Sequence, residues 1–361
     1  MAKATESLKR KPLYLTLYEK LREEITAGVY PYGTRLPSKR QLAASTGASL
    51  VTVEHALELL ADEGYIEARA RSGNYVSYTE GRVFDAPVSA AAPLSPAPAA
   101  DPEAFSFSLM AKTMRRVLAD RGEAILVKSP NEGLPELRNA ICRYLARSRG
   151  VHVEPEQIWI GSGAEYLYAL LVAALGRERV YAIESPSYEK IEAVYRAVGV
   201  PLRLLPLGPH GVDSAALTAT DADILHITPY RSFPSGVTAT ASKRAEYLRW
   251  AAGGRMLIED DAESELSLAS KPEETLFARA ENGNVIYLNT FSRSVAPALR
   301  MGYAVLPKTL LPRFRERVGF FSCTVPTFEQ MVLAALLDNG DFERQLNRRR
   351  RRMKKALDNN G

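Results

Sequence analysis

Four short stretches carry residue types that could do chemistry. Thr290-Phe291-Ser292-Arg293-Ser294 follows the apolar, β-branched run 285–288 and leads through Pro297, Arg300 and Gly302 into a second apolar run, 303–306. Arg293 cannot attack an aldehyde, because a guanidinium stays protonated and has no free lone pair. Ser162-Gly163-Ala164 sets small residues and free N–H groups at a helix start, which suits a phosphate, although caps of this kind are common. Glu259-Asp260-Asp261 closes another apolar run, where three acids form either a ligand site or a solvated turn. Pro186-Ser187-Tyr188 places an aromatic ring in a loop, a position that is more often plain surface.

These stretches need a scaffold, and the pattern supplies one. Short apolar runs at 157–160, 180–183, 202–205, 224–227, 256–258 and 285–288 predict strands, and helical spacing at 134–145 and 164–175 predicts helices between them. Alternation of this kind predicts an α/β body with a mainly parallel sheet, which binds ligands at its strand ends. The first eighty residues read differently. Tyr14, Leu17, Leu21 and Ile25 recur at helical spacing, Ser38 and Ser49 can cap a second and a third helix, and residues 66–78 with Ser72-Gly73 between them predict a two-stranded wing. Between the two bodies lies APVSAAAPLSPAPAADP, alanine and proline without periodicity, which predicts an extended linker.

Composition is ordinary for a soluble chain of 361 residues, at 46% hydrophobic and 25% charged. The formal +5 is local: residues 341–361 hold eight Lys/Arg against three Asp/Glu, and the other 39 cations meet 39 anions. The pI therefore says little about the body. The run Arg348–Arg352 reads as a solvated helix end or a truncation scar. Cys142 and Cys323 lack metal or CxxC spacing and read as buried thiols in a reducing cytoplasm. The longest apolar run, 167–175, is too short to span a bilayer.

Residues 286–303, IYLNTFSRSVAPALRMGY, resemble the cofactor-lysine segment of fold-type I aminotransferases as found in MocR-type regulators of the GntR family, which read TFSK and then P-x-x-R-x-G-Y. LPSKRQLA, SLVTVEHALELLADEGYI and RSGNYV, in that order, resemble the GntR winged helix. The resemblance implies four segments: a winged helix-turn-helix at 1–80, a linker at 81–104, a truncated aminotransferase-like domain at 105–345, and a basic tail at 346–361 that is the stub of an absent small domain. It implies a pyridoxal phosphate (PLP) site in which Ser162, Gly163, Ala164, Ser292 and Arg300 hold the phosphate, Tyr188 stacks on the ring and Asp260 meets the ring nitrogen. It further implies that Ser38, Arg40, Ser49 and Thr52 touch double-stranded DNA, that Arg69 or Arg71 lies near the minor groove, and that the chain forms homodimers.

Departures from the family pattern fall on the chemistry. Arg293 stands at the lysine that links to PLP, Ala262 at a tyrosine, and Tyr230-Arg231-Ser232 at S-H-Q. Leu50 stands where the broader family usually has arginine. The expected function is a DNA-binding transcriptional regulator in the cytoplasm. Its catalytically degenerate sensor domain would bind PLP without a covalent link, or an amino-acid effector. The alternative is a PLP-dependent aminotransferase with an appended DNA-binding domain, whose chemistry needs the amine that Arg293 lacks.

Overall fold

Apolar positions three and four residues apart close the first unit around one small core. α1 (Leu13–Thr26), α2 (Lys39–Thr46) and α3 (Leu50–Asp62) turn Leu17, Leu21, Ile25, Leu42, Val53, Leu57 and Leu60 inward. Ser38 caps α2 in a capping box with Gln41, and Ser49 accepts from the Thr52 N–H at 3.1 Å to cap α3. Gly47, left-handed at φ 67°, makes the turn between them. The wing is the antiparallel pair β1 (Ile66–Arg69) and β2 (Gly73–Val76), with Ile66 opposite Val76 and Arg69 opposite Gly73. A side chain at Gly73 would collide with the Arg35 guanidinium, so that cation lies against the wing.

The computed structural model describes residues 12–70, 72–79, 105–262, 264–268, 273–280 and 283–360. The chain divides into two units, Met1–Ala97 and Pro98–Gly361. Arg71 and the expected linker at 81–104 lie outside the described residues.

The second unit runs α4 (Phe107–Arg121), α5 (Pro135–Arg149), β3 (Ile158–Gly161), α6 (Ala164–Leu175), β4 (Tyr181–Ser185), α7 (Glu189–Val198), β5 (Leu202–Gly208), β6 (Gly211–Val212), α8 (Ser214–Ala219) and β7 (Ile224–Ile227). It continues through α9 (Ala241–Ala251), β8 (Met256–Asp260), α10 (Leu276–Arg279), β9 (Val285–Thr290), β10 (Gly302–Val305), α11 (Leu311–Val318), α12 (Thr327–Asp338) and α13 (Asp341–Asn360). The sheet order is β3-β10-β9-β8-β7-β4-β5-β6. The five strands from β9 to β5 are parallel to one another, while β10 and β6 run antiparallel to their neighbours. The mainly parallel sheet is as the sequence pattern predicts.

Both faces of the sheet are covered, which is why its strands read as unbroken apolar runs. Ile183, Ile224, Ile258, Ile286 and Leu288 pack with α6, α7 and α11 on one face. Val285, Leu257, Leu225 and Ala182 pack with α8 and α9 on the other, and Tyr287, Tyr303 and Ile160 with α5 and α12. Each aliphatic side chain buried this way contributes roughly 1.5–3 kcal/mol.

Two boundaries differ from expectation. α5 runs one turn beyond 145, to Arg149. The basic tail expected from 346 is part of α13, a continuous helix from 341 to 360, with Phe342 and Leu346 in the core. Its basic run is only partly solvated. Arg349 Nη1 donates to the carbonyls of Arg293 and Ser294 at 2.8 and 3.1 Å, and Arg350 Nε to that of Glu265 at 2.7 Å. Among the described residues no helix is long and apolar enough to cross a membrane.

Candidate functional site

Parallel strands deliver their C-terminal ends to one edge of the sheet, and there the second unit has a cavity of about 270 Å³. That is room for a substituted six-membered ring, given about 30 Å³ for each water in the liquid. Thr228 follows β7, Asp260 ends β8 with Ala262 just beyond it, Thr290 ends β9, and the turn after β9 supplies Ser292 and Arg293. The first turns of α6 supply Ala164, Glu165 and Tyr168, and the start of α7 supplies Tyr188 and Ile191. Phe233 and Arg300 complete the wall.

Of the seven residues expected to hold the cofactor, Ala164, Tyr188, Asp260, Ser292 and Arg300 line this cavity. Ser162 and Gly163 stand just outside it. The Ser162 N–H donates to Thr324 Oγ1 at 3.1 Å, and Gly163, at φ 96°, is the N-cap of α6. A Cβ on Gly163 would come within 3.3 Å of Arg300 Nη2, so a side chain there would push that guanidinium back from the helix start. Arg293 lines the cavity.

The acids at the end of β8 are buried, which rules out the solvated turn. They split between two surroundings because strand side chains alternate. Asp260 faces the cavity. Its Oδ2 accepts from the Tyr168 hydroxyl, and His226 Nε2 lies 3.5 Å away, with His226 Nδ1 2.8 Å from the Tyr195 hydroxyl. Burial, then the Asp260 charge, pushes the Tyr168 phenol well above its ordinary value, so it stays a donor. Glu259 and Asp261 point into the core. Asp261 Oδ2 is 2.9 Å from Arg149 Nη2 and accepts from the Tyr287 hydroxyl at 2.7 Å. Glu259 accepts from the Tyr230 hydroxyl and the Leu276 and Phe277 N–H groups. Tyr230, one of the departures, thus has a packing role, with the Arg149 guanidinium 5.0 Å from its ring centre.

Sequence reasoning missed Glu165, Lys190, Tyr168 and His226. Glu165 Oε1 accepts from Lys190 Nζ at 2.9 Å, and its Oε2 accepts from Arg300 Nη2. Tyr168 sits one turn after Ala164, a spacing that could have flagged it. His226 interrupts an otherwise apolar strand, the one sequence signal it gives.

In the first unit, Ser38, Arg40 and Ser49 are exposed at the starts of α2 and α3, and Thr52 is half-buried beside Ser49, with their hydroxyls 2.8 Å apart. Arg69 is exposed on β1, 4.5 Å from the Tyr75 ring centre. Leu50 and Val51, at 51% and 75% exposure, form an apolar step on the first turn of α3.

Comparison with known proteins follows the same division. The family model "Aminotransferase class I and II" matches residues 105–359, and "Bacterial regulatory proteins, gntR family" matches residues 13–76. The chain is 31% identical to the uncharacterized HTH-type transcriptional regulator YdeL of Bacillus subtilis, over 96% of this chain and 78% of that protein. It is 29% identical to the probable rhizopine catabolism regulatory protein MocR of Rhizobium meliloti, over 94% and 74%. Among solved structures it is similar to LysN, the α-aminoadipate aminotransferase of Thermus thermophilus complexed with N-(5′-phosphopyridoxyl)-L-leucine. There the TM-score is 0.61 with 30% identity, over 69% of this chain and 65% of that one, so the chain spans just under two thirds of that aminotransferase.

Proposed function

The chain belongs to the MocR-type regulators of the GntR family, a winged helix joined to a class I and II aminotransferase domain, and from that premise we propose a transcriptional regulator whose second domain senses a small molecule and does not turn it over. The observation that carries this reading is the position of Arg293. It lines the cavity in the turn after β9, beside Ser292, and the resemblance of Thr290-Phe291-Ser292-Arg293 to TFSK puts the cofactor lysine at this position. Transamination needs a neutral amine there to bond the carbonyl carbon and to carry the α-proton. Arg293 offers neither at any ordinary pH.

PLP, which the aminotransferase likeness brings to this chain, would supply an electron sink if bound. The residues fit its ring and do not fit its phosphate. Tyr188 and Phe233, 6.1 Å apart edge to face, offer a ring platform, and Asp260 offers a carboxylate to a ring nitrogen. Arg300, expected to hold the phosphate, is already paired with Glu165. In this reading the ring is held without a covalent bond, the chain dimerises in the cytoplasm, and each winged helix takes one half-site of a repeated DNA sequence. Ser38, Arg40, Ser49 and Thr52 then lie on phosphates at the helix starts, with Arg69 on the wing.

Two measurements test this. Gel-shift titration on DNA upstream of the chain's own gene should give a salt-sensitive complex. Protein mixed with PLP, treated with borohydride and weighed by mass spectrometry should carry no covalent label in the cavity. A label on a cavity residue overturns the non-covalent reading. Arg293→Lys combined with Glu165→Gln should gain such a label.

A further inference from the structure

The end of the cavity nearest α6 is built to attract an anion. The first N–H groups of a helix lack partners and carry partial positive charge. The Arg300 guanidinium, on a residue at φ 43°, sits beside Gly163 at that helix start. An anion is already there, and it belongs to the chain. Glu165, in the first turn of α6, gives one oxygen to Arg300 and the other to Lys190. The Lys190 hydrogen bond, and then Arg300, hold its carboxyl below the ordinary range against some burial, so it is ionised at neutral pH. Among the charged residues lining the cavity, Glu165 and Asp260 balance Arg293 and Arg300. A phosphate dianion entering here must compete with the Glu165 carboxylate for Arg300, whose side chain is half-exposed.

The rest of the lining suits a ring: Tyr188, Phe233 and Tyr168 give aromatic surface, and Asp260 gives a buried carboxylate. We infer that the cavity takes an unphosphorylated planar ring compound bearing an N–H or cationic nitrogen for Asp260, and that Glu165 is the residue that rejects the phosphate monoester of the same ring. This rests on the proposed sensor role and names the ligand class of that site.

Isothermal titration of the full chain with pyridoxine and with pyridoxine 5′-phosphate tests it. The two share a ring and lack the aldehyde that labels surface lysines. Wild type should bind pyridoxine at least as tightly as its phosphate. Glu165→Gln frees Arg300 and Lys190, and should shift the ratio of the two constants toward the phosphate by at least about tenfold. Lys190→Ala leaves Glu165 on Arg300 and should not shift it that way. If Glu165→Gln melts early, Glu165→Ala, which frees the same two cations, is the second variant and should shift the ratio in the same direction. A wild-type preference for the phosphate above tenfold, or an unchanged ratio in Glu165→Gln, overturns the inference and leaves the sensor reading standing. Binding of neither compound by either protein overturns both, while the DNA complex still tests the first unit.

Discussion

On the winged helix, Ser38, Arg40, Ser49 and Arg69 stand at the surface, and the hydroxyls of Ser38 and Ser49 cap the helices on which they sit. In the second unit the charged groups answer one another. Glu165 holds Arg300 and Lys190, Tyr168 holds Asp260, and Arg149 lies against Asp261 in the core. A charge already satisfied within its own fold resists a new ligand of the same sign, and a charge left in water gives up little when a partner arrives. Deleting a charge should therefore cost stability in the second unit and binding in the first.

The largest effect should come from Arg149→Ala. The pair with Asp261 is almost completely buried, at 6% and 0% side-chain exposure. Removing one partner of such a pair strands the other charge and costs about 3–5 kcal/mol. Chemical denaturation of the second unit measures it, and a loss below about 1 kcal/mol would mean that water reaches Asp261. Glu265→Gln should act in the opposite direction and depend on pH. Burial pushes the Glu265 carboxyl up to about 7, against 4.5 for the free group. Between those values the folded chain binds the extra proton, so this group's contribution to stability falls as pH rises through the window and is level above it. The Gln variant should match wild type near the lower end and exceed it by up to roughly 3 kcal/mol above the upper end. Melting curves of both proteins across that range decide, and parallel curves would mean that Glu265 is ionised throughout.

The same contrast governs what the sequence could tell. The winged helix was legible because its signals are local: Ser38 and Gln41 are three residues apart, as are Ser49 and Thr52, and the core follows helical spacing. The sheet was legible because covered strands are apolar throughout, and Asp260 and Ser292 because the segments that carry them, at and just past the ends of such strands, resemble the family's motifs. Glu165 was not, since its partners lie 25 and 135 residues away and a glutamate in a first helical turn looks like any other. Tyr168 meets Asp260 across 92 residues. The run Arg348–Arg352 looked solvated because nothing in its composition says that Arg349 and Arg350 would find carbonyls in the turns near 265 and 293.

The smallest effect on stability, and the one that separates the two regions most sharply, should come from Arg40→Ala and Thr52→Ala. Neither side chain is in the core, so unfolding should move by less than about 0.5 kcal/mol. Affinity for DNA should drop roughly five- to tenfold in each, the worth of one phosphate hydrogen bond. The two variants should differ in salt dependence. Arg40 releases a counterion when it binds a phosphate, so its loss flattens the slope of log K against log salt by about 0.9. Thr52 is neutral, so its loss lowers the line without tilting it. Equal tilts in both variants would place Thr52 in support of a charged neighbour, and no change in either would move the DNA-reading surface elsewhere on the first unit.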